Sequence, residues 1–423
     1  MIDKDKLGFD PYTCPIDELE KKIEEFGDQE EYWNTMQLSA KTFINSVYGV
    51  FGTKFFNLAN TDIAESITLQ GQHLIKYSVV QINKYFKEQW HKDVEGHKKI
   101  AAYMKERFAE FDDESFLRIA STNQLSFDTL QCYGDTDSAY ITMEPLIRMY
   151  GIPKEQQTEF SLAVHRCVLD KFLDDKFEEY AKAFNCDKNL EKFELEKISR
   201  TIIMLSKKNY ICDVAWADPN MYYEPLSHIT YTGYDVVKGT VTNYCRKEMK
   251  YFTEFVLSKL NDGKKPTMGE IVQVLREIKK RFAMQSPNDI SKTVNCSNYE
   301  NFVKDDKGPV VQYFENTTAD GKKAPLPIHV RAAATYNNIL YNKGKKYLSK
   351  YDTIKSNDKV RFYYINDDDV FGFIPDDFPA EFAPPINVDV QFDKMLLSPL
   401  NRIISAIGYN EVPPSLTYNV SLF

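Results

Sequence analysis

The stretch QCYGDTDSAYITM, residues 131–143, holds two carboxylates one residue apart, Asp135 and Asp137, with apolar and aromatic residues on both sides. Along a strand, residues i and i+2 share a face. Across a tight turn, both side chains can approach one point at the hairpin tip. Carboxylates that close repel unless a cation sits between them or one takes up a proton. Mg²⁺ is bound by oxygen ligands in octahedral geometry, usually one or two carboxylates together with substrate phosphates. One reading of the pair is therefore a divalent-metal site for phosphoryl chemistry. The other is an ordinary polar turn, where Gly, Asp, Thr and Ser are common residues.

Two more stretches bear on that choice. KTFINSVYG, residues 41–49, spaces Lys41, Asn45 and Tyr48 by four and three residues. On a helix they line one stripe, able to meet a phosphate, a base edge and a sugar. The same pattern also describes a solvated lysine on an amphipathic helix with a half-buried tyrosine. LSKKNY, residues 205–210, sets Lys207 and Lys208 ahead of Tyr210 on a predicted strand. Its plainer reading is a solvated charge pair.

The elements that must position these residues follow from periodicity. Residues 16–50 predict helix: IDELEKKIEEF is amphipathic, and WNTMQLSAKTFINSVYGVF repeats apolar residues every three or four positions. Gly49 and Gly52 then break the pattern. A long helix is predicted over ANTDIAESITLQGQHLIKYSVVQINKYFKEQ, with Asn60 or Thr61 as its N-cap. Residues 121–143 predict a β-hairpin turning at GDTD. Helix is expected over 155–190, strand over FELEKISRTIIMLSKKNYICDVAW, and lysine-rich helix over 238–283. Beyond Ser286 the text is mixed, with loops expected at 286–327 and 351–388. No repeat or low-complexity tract occurs.

The chain has 423 residues, 43% hydrophobic and 14% aromatic, enough for two or three lobes. Its formal net charge of -9 argues against a nucleic-acid binder at the level of the whole chain. A DNA-binding reading must therefore rest on local clusters such as GKKPTMGEIVQVLREIKKRF and YNKGKKY. Seven scattered cysteines without a CxxC pair count against a disulfide framework or a zinc site and fit a reducing cytosol. The first residues, MIDKDKLGFDPY, have no apolar core of a secretory signal, and no apolar run reaches the ~18 residues of a membrane span. The expected location is cytoplasmic, the host-cell cytoplasm if a phage encodes the chain.

KxxxNSxYG, YGDTDS and a KKxY strand, in that order, resemble the C-terminal part of T-even-phage-like family B DNA polymerases. The likeness extends further. FNLANTDIAESITLQGQ is similar to the palm helix after the fingers and FELEKI to the family's acidic strand. YTGYDVVKGTV resembles the entry to the thumb, and SPNDISK and PIHVRAAATYN resemble thumb motifs. The resemblance implies an α+β fold: an antiparallel palm sheet with packed helices, half of the helical fingers and a mixed, mainly helical thumb. By the same likeness, residues 1–50 are the second half of the fingers, 51–240 the C-terminal part of the palm, and 241–423 the thumb.

The chemistry the resemblance implies is transfer of a dNTP onto a primer 3′-hydroxyl, with two Mg²⁺ ions, or Mn²⁺, clamping an in-line attack. Asp137 is implied as the carboxylate that touches both metals, Asp135 as its support, and Glu196 as the acidic residue near them. Lys41 is implied to hold the incoming triphosphate; Asn45, Tyr48 and Gly49 would line the nascent base pair. Lys207, Lys208 and Tyr210 are implied to contact the primer-end duplex. The family usually reads KKRY, so Asn209 removes one charge from that grip. In the thumb, His329, Arg331 and Tyr336 match positions that approach duplex DNA. The final SLTYNVSLF resembles a clamp-binding tail, with Leu422 and Phe423 as anchors on a sliding clamp.

One motif is missing. The family's D-x-x-S-L-Y-P-S strand, which brings the partner aspartate, should precede Lys41, and only 40 residues do. FDPYTCP has an aspartate, Asp10, but lacks the SLYPS body, and its proline-bounded context marks a surface loop. The sequence begins with Met and runs directly into a helix pair. The expectation is accordingly the C-terminal subunit of a split bacteriophage polymerase. A heterodimeric partner would carry the exonuclease, the missing motif and the first fingers helix. A non-catalytic DNA-binding scaffold descended from a polymerase is the alternative, and a fragment of a longer single chain is a third reading.

Overall fold

The computed structural model describes residues 9–11, 13–57, 59–135, 138–305 and 308–417. It is a mixed α+β chain with small antiparallel sheets and separates into two compact units. Unit 1 takes residues 1–98, 112–151 and 172–189; unit 2 takes the remainder.

Unit 1 is built on two helices. Helix α1, Ile16–Gly52, is 37 residues long and has no buried residue. Helix α2, Thr61–Lys84, starts where the sequence predicts, and Asn60 is the cap: its side chain accepts the Ile63 N–H at 3.1 Å. Leu74, Ser78, Val79 and Ile82 form its buried face. A π-turn at Tyr85–Gln89 then leads into the buried Phe86 and Trp90. The Trp90 indole donates to the Tyr150 hydroxyl at 2.7 Å, which meets the rule that a buried Trp N–H finds a partner. Helix α4, Asp113–Thr122, adds Phe116 and Ala120 to this core; α3, Val94–Arg107, precedes it in the chain and belongs to unit 2 from Lys99 onward. Strands β1, Gln131–Asp135, and β2, Ser138–Ile141, form the hairpin. Residues 121–130 have no strand structure, so the hairpin starts ten residues later than the sequence suggests. Beyond it lies α5, Glu144–Tyr150.

Helix α6, Gln157–Val164, belongs to unit 2; α7, Asp170–Ala183, follows it along the chain after a π-turn and, from Phe172 onward, belongs to unit 1. The first sheet of unit 2 pairs β3, Lys197–Ser206, with β4, Asn209–Ala217. On its other edge β4 takes β5, Asn220–Met221, and β6, Ile229–Thr232. Helices α8, Asn243–Asn261, and α9, Met268–Phe282, complete this core. Helix α9 shows how sequence sets structure. Thr267 and Glu270 form a capping box, and Ile271, Leu275, Ile278 and Phe282 repeat at four, three and four residues to make the buried stripe.

The two expected loops beyond Ser286 contain regular structure. After the short α10, Pro287–Ile290, comes β7, Lys292–Asn295, then the small pair β8, Val303–Lys304, and β9, Gln312–Tyr313. Strands β10, Lys359–Tyr364, and β11, Val370–Phe373, join β7 in a sheet of order β11–β10–β7. Helix α11, Ile328–Lys343, covers it through the Ala332–Ala333–Ala334 run. A Cβ on Gly372 would lie 2.8 Å from the Ala332 carbonyl oxygen, so small residues on both elements allow the close approach. The last helix, α14, Ser398–Ala406, returns to the first core of unit 2 after α12, Lys345–Leu348, and α13, Val388–Phe392. Among the described residues, no helix is long and apolar enough to cross a membrane.

Candidate active site

In unit 1 the acidic hairpin is fixed at its base. Asn83, near the end of α2, accepts the Leu130 N–H at 2.8 Å and donates to Thr129 Oγ1 at 3.2 Å. Its amide also donates to the Val79 carbonyl, which locks the side chain against its own helix. Thr142 N–H closes the ladder on the Leu130 carbonyl at 2.8 Å. Above that base, the Tyr133 and Tyr140 rings pack edge to face with centroids 5.5 Å apart, and Gly134 pairs with Ala139. Asp135 ends β1 in register with Ser138. Asp137 and Thr136 lie outside the described residues. The hairpin therefore holds Asp135 at a fixed strand end, two residues before Asp137 in the sequence.

Lys41, Asn45, Tyr48 and Gly49 sit on the solvent-exposed surface of α1. Tyr48 is tied down: its hydroxyl lies 2.7 Å from Thr68 Oγ1 on α2. A Cβ on Gly49 would meet no atom of the chain within 4 Å. Large apolar side chains on the same helix are also bare, among them Trp33 at 65%, Phe43 at 71% and Ile44 at 67% exposure.

In unit 2, Glu196 is exposed one residue before β3, and its carbonyl accepts the Asp218 N–H. The lysine pair is not on a strand. Ser206 pairs with Asn209, so Lys207 and Lys208 form the exposed turn of the β3–β4 hairpin, and Tyr210 begins β4. Lys208 has φ of 59°, a left-handed conformation that costs a non-glycine residue roughly 1–2 kcal/mol. A two-residue hairpin turn favours such a left-handed backbone, a demand that the strand-like flanks conceal in the sequence. The Lys197 ammonium lies 5.6 Å from the centre of the Tyr210 ring.

On α11, His329 and Arg331 are partly exposed. His329 Nε2 is 3.0 Å from the Ser297 carbonyl oxygen, and an Arg331 N–H donates to the Asp368 carbonyl. Tyr336 corrects the sequence reading. It is fully buried in the second core of unit 2, its ring against Phe371 and Phe382 and its hydroxyl donating to the Asp352 carbonyl at 3.0 Å. It lies five residues beyond Arg331, half a helical turn off that face, so it packs the helix rather than meeting DNA. Leu422 and Phe423 lie outside the described residues. The chain just before them is held: Arg276 donates to the Leu416 carbonyl at 2.9 Å, and Thr417 is buried.

Sequence reasoning missed Asn83 and Arg402. A helix-end asparagine before a hairpin carries no motif, and Arg402 reaches the KKNY turn only through tertiary structure. For a metal, the described residues hold no group of three or more His, Cys, Asp or Glu side chains placed to bind one. Asp135 is the described carboxylate of the hairpin, and with Asp137 it provides oxygen donors suited to a hard cation but short of a full shell.

Comparisons with known proteins converge. The model of DNA polymerase family B matches residues 17–325. The DNA polymerase of Choristoneura biennis entomopoxvirus is 27% identical over 188 residues, 43% of this chain and 17% of that protein. The DNA-directed DNA polymerase of Enterobacteria phage T4 is 22% identical over 338 residues, covering 77% of this chain and 31% of its own length. That of Escherichia phage RB69 is 23% identical over 318 residues, with 72% and 29% covered. The chain thus spans less than a third of these curated relatives.

Proposed function

Since the chain belongs to DNA polymerase family B across residues 17–325, we propose that it takes part in template-directed DNA synthesis. In this reading it is the C-terminal portion of the polymerase core: residues 1–50 in the fingers, 51–240 in the palm and 241–423 in the thumb. The observation that carries the reading is the clamped YGDTDS hairpin, with Asp135 on a fixed strand end beside Asp137, inside the matched region.

The residue roles follow from chemistry. Asp137 and Asp135 would hold Mg²⁺ or Mn²⁺ together with the phosphates of a dNTP. The ions, when bound, supply charge stabilisation at the attacked phosphorus and on the departing pyrophosphate. Lys41 meets the triphosphate as a point charge, while Asn45 and Tyr48 face the base pair, with Tyr48 held by Thr68. Gly49 leaves room for the nucleotide. Lys207, Lys208, Tyr210, His329 and Arg331 grip the phosphates of primer–template DNA without reading its sequence. Mg²⁺ dehydrates reluctantly and needs a complete octahedral shell, so the hairpin pair requires one more carboxylate.

That carboxylate is supplied by polypeptide outside these 423 residues, in our reading a second chain that also carries the exonuclease. The many bare apolar side chains of α1, none of them buried, favour such a partner, because large exposed apolar surface marks interaction sites. A sliding clamp would engage Leu422 and Phe423, and the assembly would work in the cytoplasm. The test is substitution in the assembled enzyme. Asp137→Asn is expected to lower primer extension at least a thousandfold while the affinity for primer–template stays within about threefold. An active Asp137→Asn enzyme would refute the assignment.

A further inference from the structure

The turn that carries Lys207 and Lys208 is surrounded by more charge than its sequence shows. Arg402, on α14, donates through Nη2 to the Asn209 side-chain oxygen at 3.1 Å and through Nη1 to Asp235 Oδ2 at 3.0 Å. Its guanidinium lies 5.7 Å from the centre of the buried Tyr234 ring. Lys238 reaches the other oxygen of the same carboxylate, Asp235 Oδ1, at 2.8 Å. Arg402 and Lys238 therefore share one anion and leave a net positive charge beside Asn209. Two of the five guanidinium N–H donors are engaged, so the rest of the fork can serve a ligand. The side chain is 35% exposed, so the fork is within reach of one.

The backbone is held to match. Lys208 adopts a left-handed φ, and Gly233, itself at φ 63°, comes so close that a Cβ there would lie 2.3 Å from the Lys208 carbonyl oxygen. The left-handed φ that the two-residue turn requires and the close approach of Gly233 thus fix the path of the turn beside Arg402. Arginine's planar fork suits phosphate oxygens, and its preorganisation here removes part of the entropy of binding.

We propose that Lys207, Lys208, Lys238 and Arg402 form one preorganised clamp for the DNA backbone, in which Arg402 supplies from α14 the guanidinium that Asn209 withholds from the turn. The proposal rests on the DNA-binding reading above. Arg402 acts as a phosphate-contacting residue, and Asn209 positions it.

The test is titration of a fluorescent primer–template duplex with the full chain across a series of KCl concentrations. Four proteins are compared: the unaltered chain, Arg402→Gln, Arg402→Lys, and Arg402→Gln combined with Asn209→Arg. Arg402→Gln keeps a long stem and a donor for Asn209, and melting temperatures verify that each variant folds. Losing one phosphate contact should weaken binding about tenfold at low salt and flatten log Kd against log[KCl] by about one. Arg402→Lys should retain the slope, and Asn209→Arg should restore it in the Arg402→Gln background. An unchanged slope in Arg402→Gln overturns the clamp, as does a lost slope that Asn209→Arg fails to restore. If the unaltered chain does not bind the duplex, the DNA-binding reading itself falls and takes the clamp with it.

Discussion

Asp135 is only as useful as the strand that holds it, and the strand is held by Asn83. The Asn83 amide makes three hydrogen bonds, of which the one accepted from the Leu130 N–H fixes the entry to β1. Leu130 is fully buried, so removing that acceptor leaves a buried N–H without its partner, at a cost of roughly 1–3 kcal/mol. Asn83→Ala should therefore reduce kcat of the assembled polymerase about ten- to a hundredfold, since small misplacements of reacting groups have effects of that size. Asn83→Asp keeps the acceptor and should lose less. Steady-state kinetics with both variants checks this, and equal kcat for all three proteins would remove Asn83 from the account. At this scale the sequence makes the candidate residues and their spacing readable: the paired aspartates, the Lys41–Asn45–Tyr48 stripe on the exposed surface of α1 and the lysine pair. Asn83, Arg402 and the burial of Tyr336 are not, because each depends on a contact with residues distant in sequence.

At the scale of elements, periodicity serves helices well and short strands poorly. The α1 and α2 boundaries and the Asn60 cap follow from spacing and capping rules. The β7–β10–β11 sheet does not. Its strands are four to six residues long, and the KVRFYY strand buries neighbouring side chains on both faces, which erases the alternation a half-buried strand shows. The KKNY turn was hidden for a related reason, since apolar text runs through both flanking strands. Gly233 makes this element testable. Alanine there would combine a left-handed backbone with a Cβ pressed on the Lys208 carbonyl. Gly233→Ala should destabilise the chain by roughly 2–4 kcal/mol, the strain of the conformation plus the forced shift of the turn. Thermal unfolding measures it. A melting temperature equal to that of the parent would show that the turn is pliable and would weaken the case for a preorganised clamp.

For the whole molecule, an acidic total is compatible with the proposed DNA binding because charge acts locally. Residues 1–423 carry -9, yet beside the β3–β4 turn with its Lys207 and Lys208, two further cations, Arg402 and Lys238, share the one carboxylate of Asp235. The α+β class and the family were legible from motif order, and the match across 17–325 bears them out. What the sequence leaves open is completion. In the proposed reading the YGDTDS segment supplies two carboxylates and the metal chemistry requires more; a 37-residue helix also displays its apolar side chains without burying one. The most direct measurement of the central claim is primer extension in Mg²⁺. The 423-residue chain is assayed alone and then with a second polypeptide carrying a D-x-x-S-L-Y-P-S motif. The account predicts no nucleotide incorporation by the chain alone and template-directed extension once the second chain is added. Sustained extension by the chain alone would contradict it.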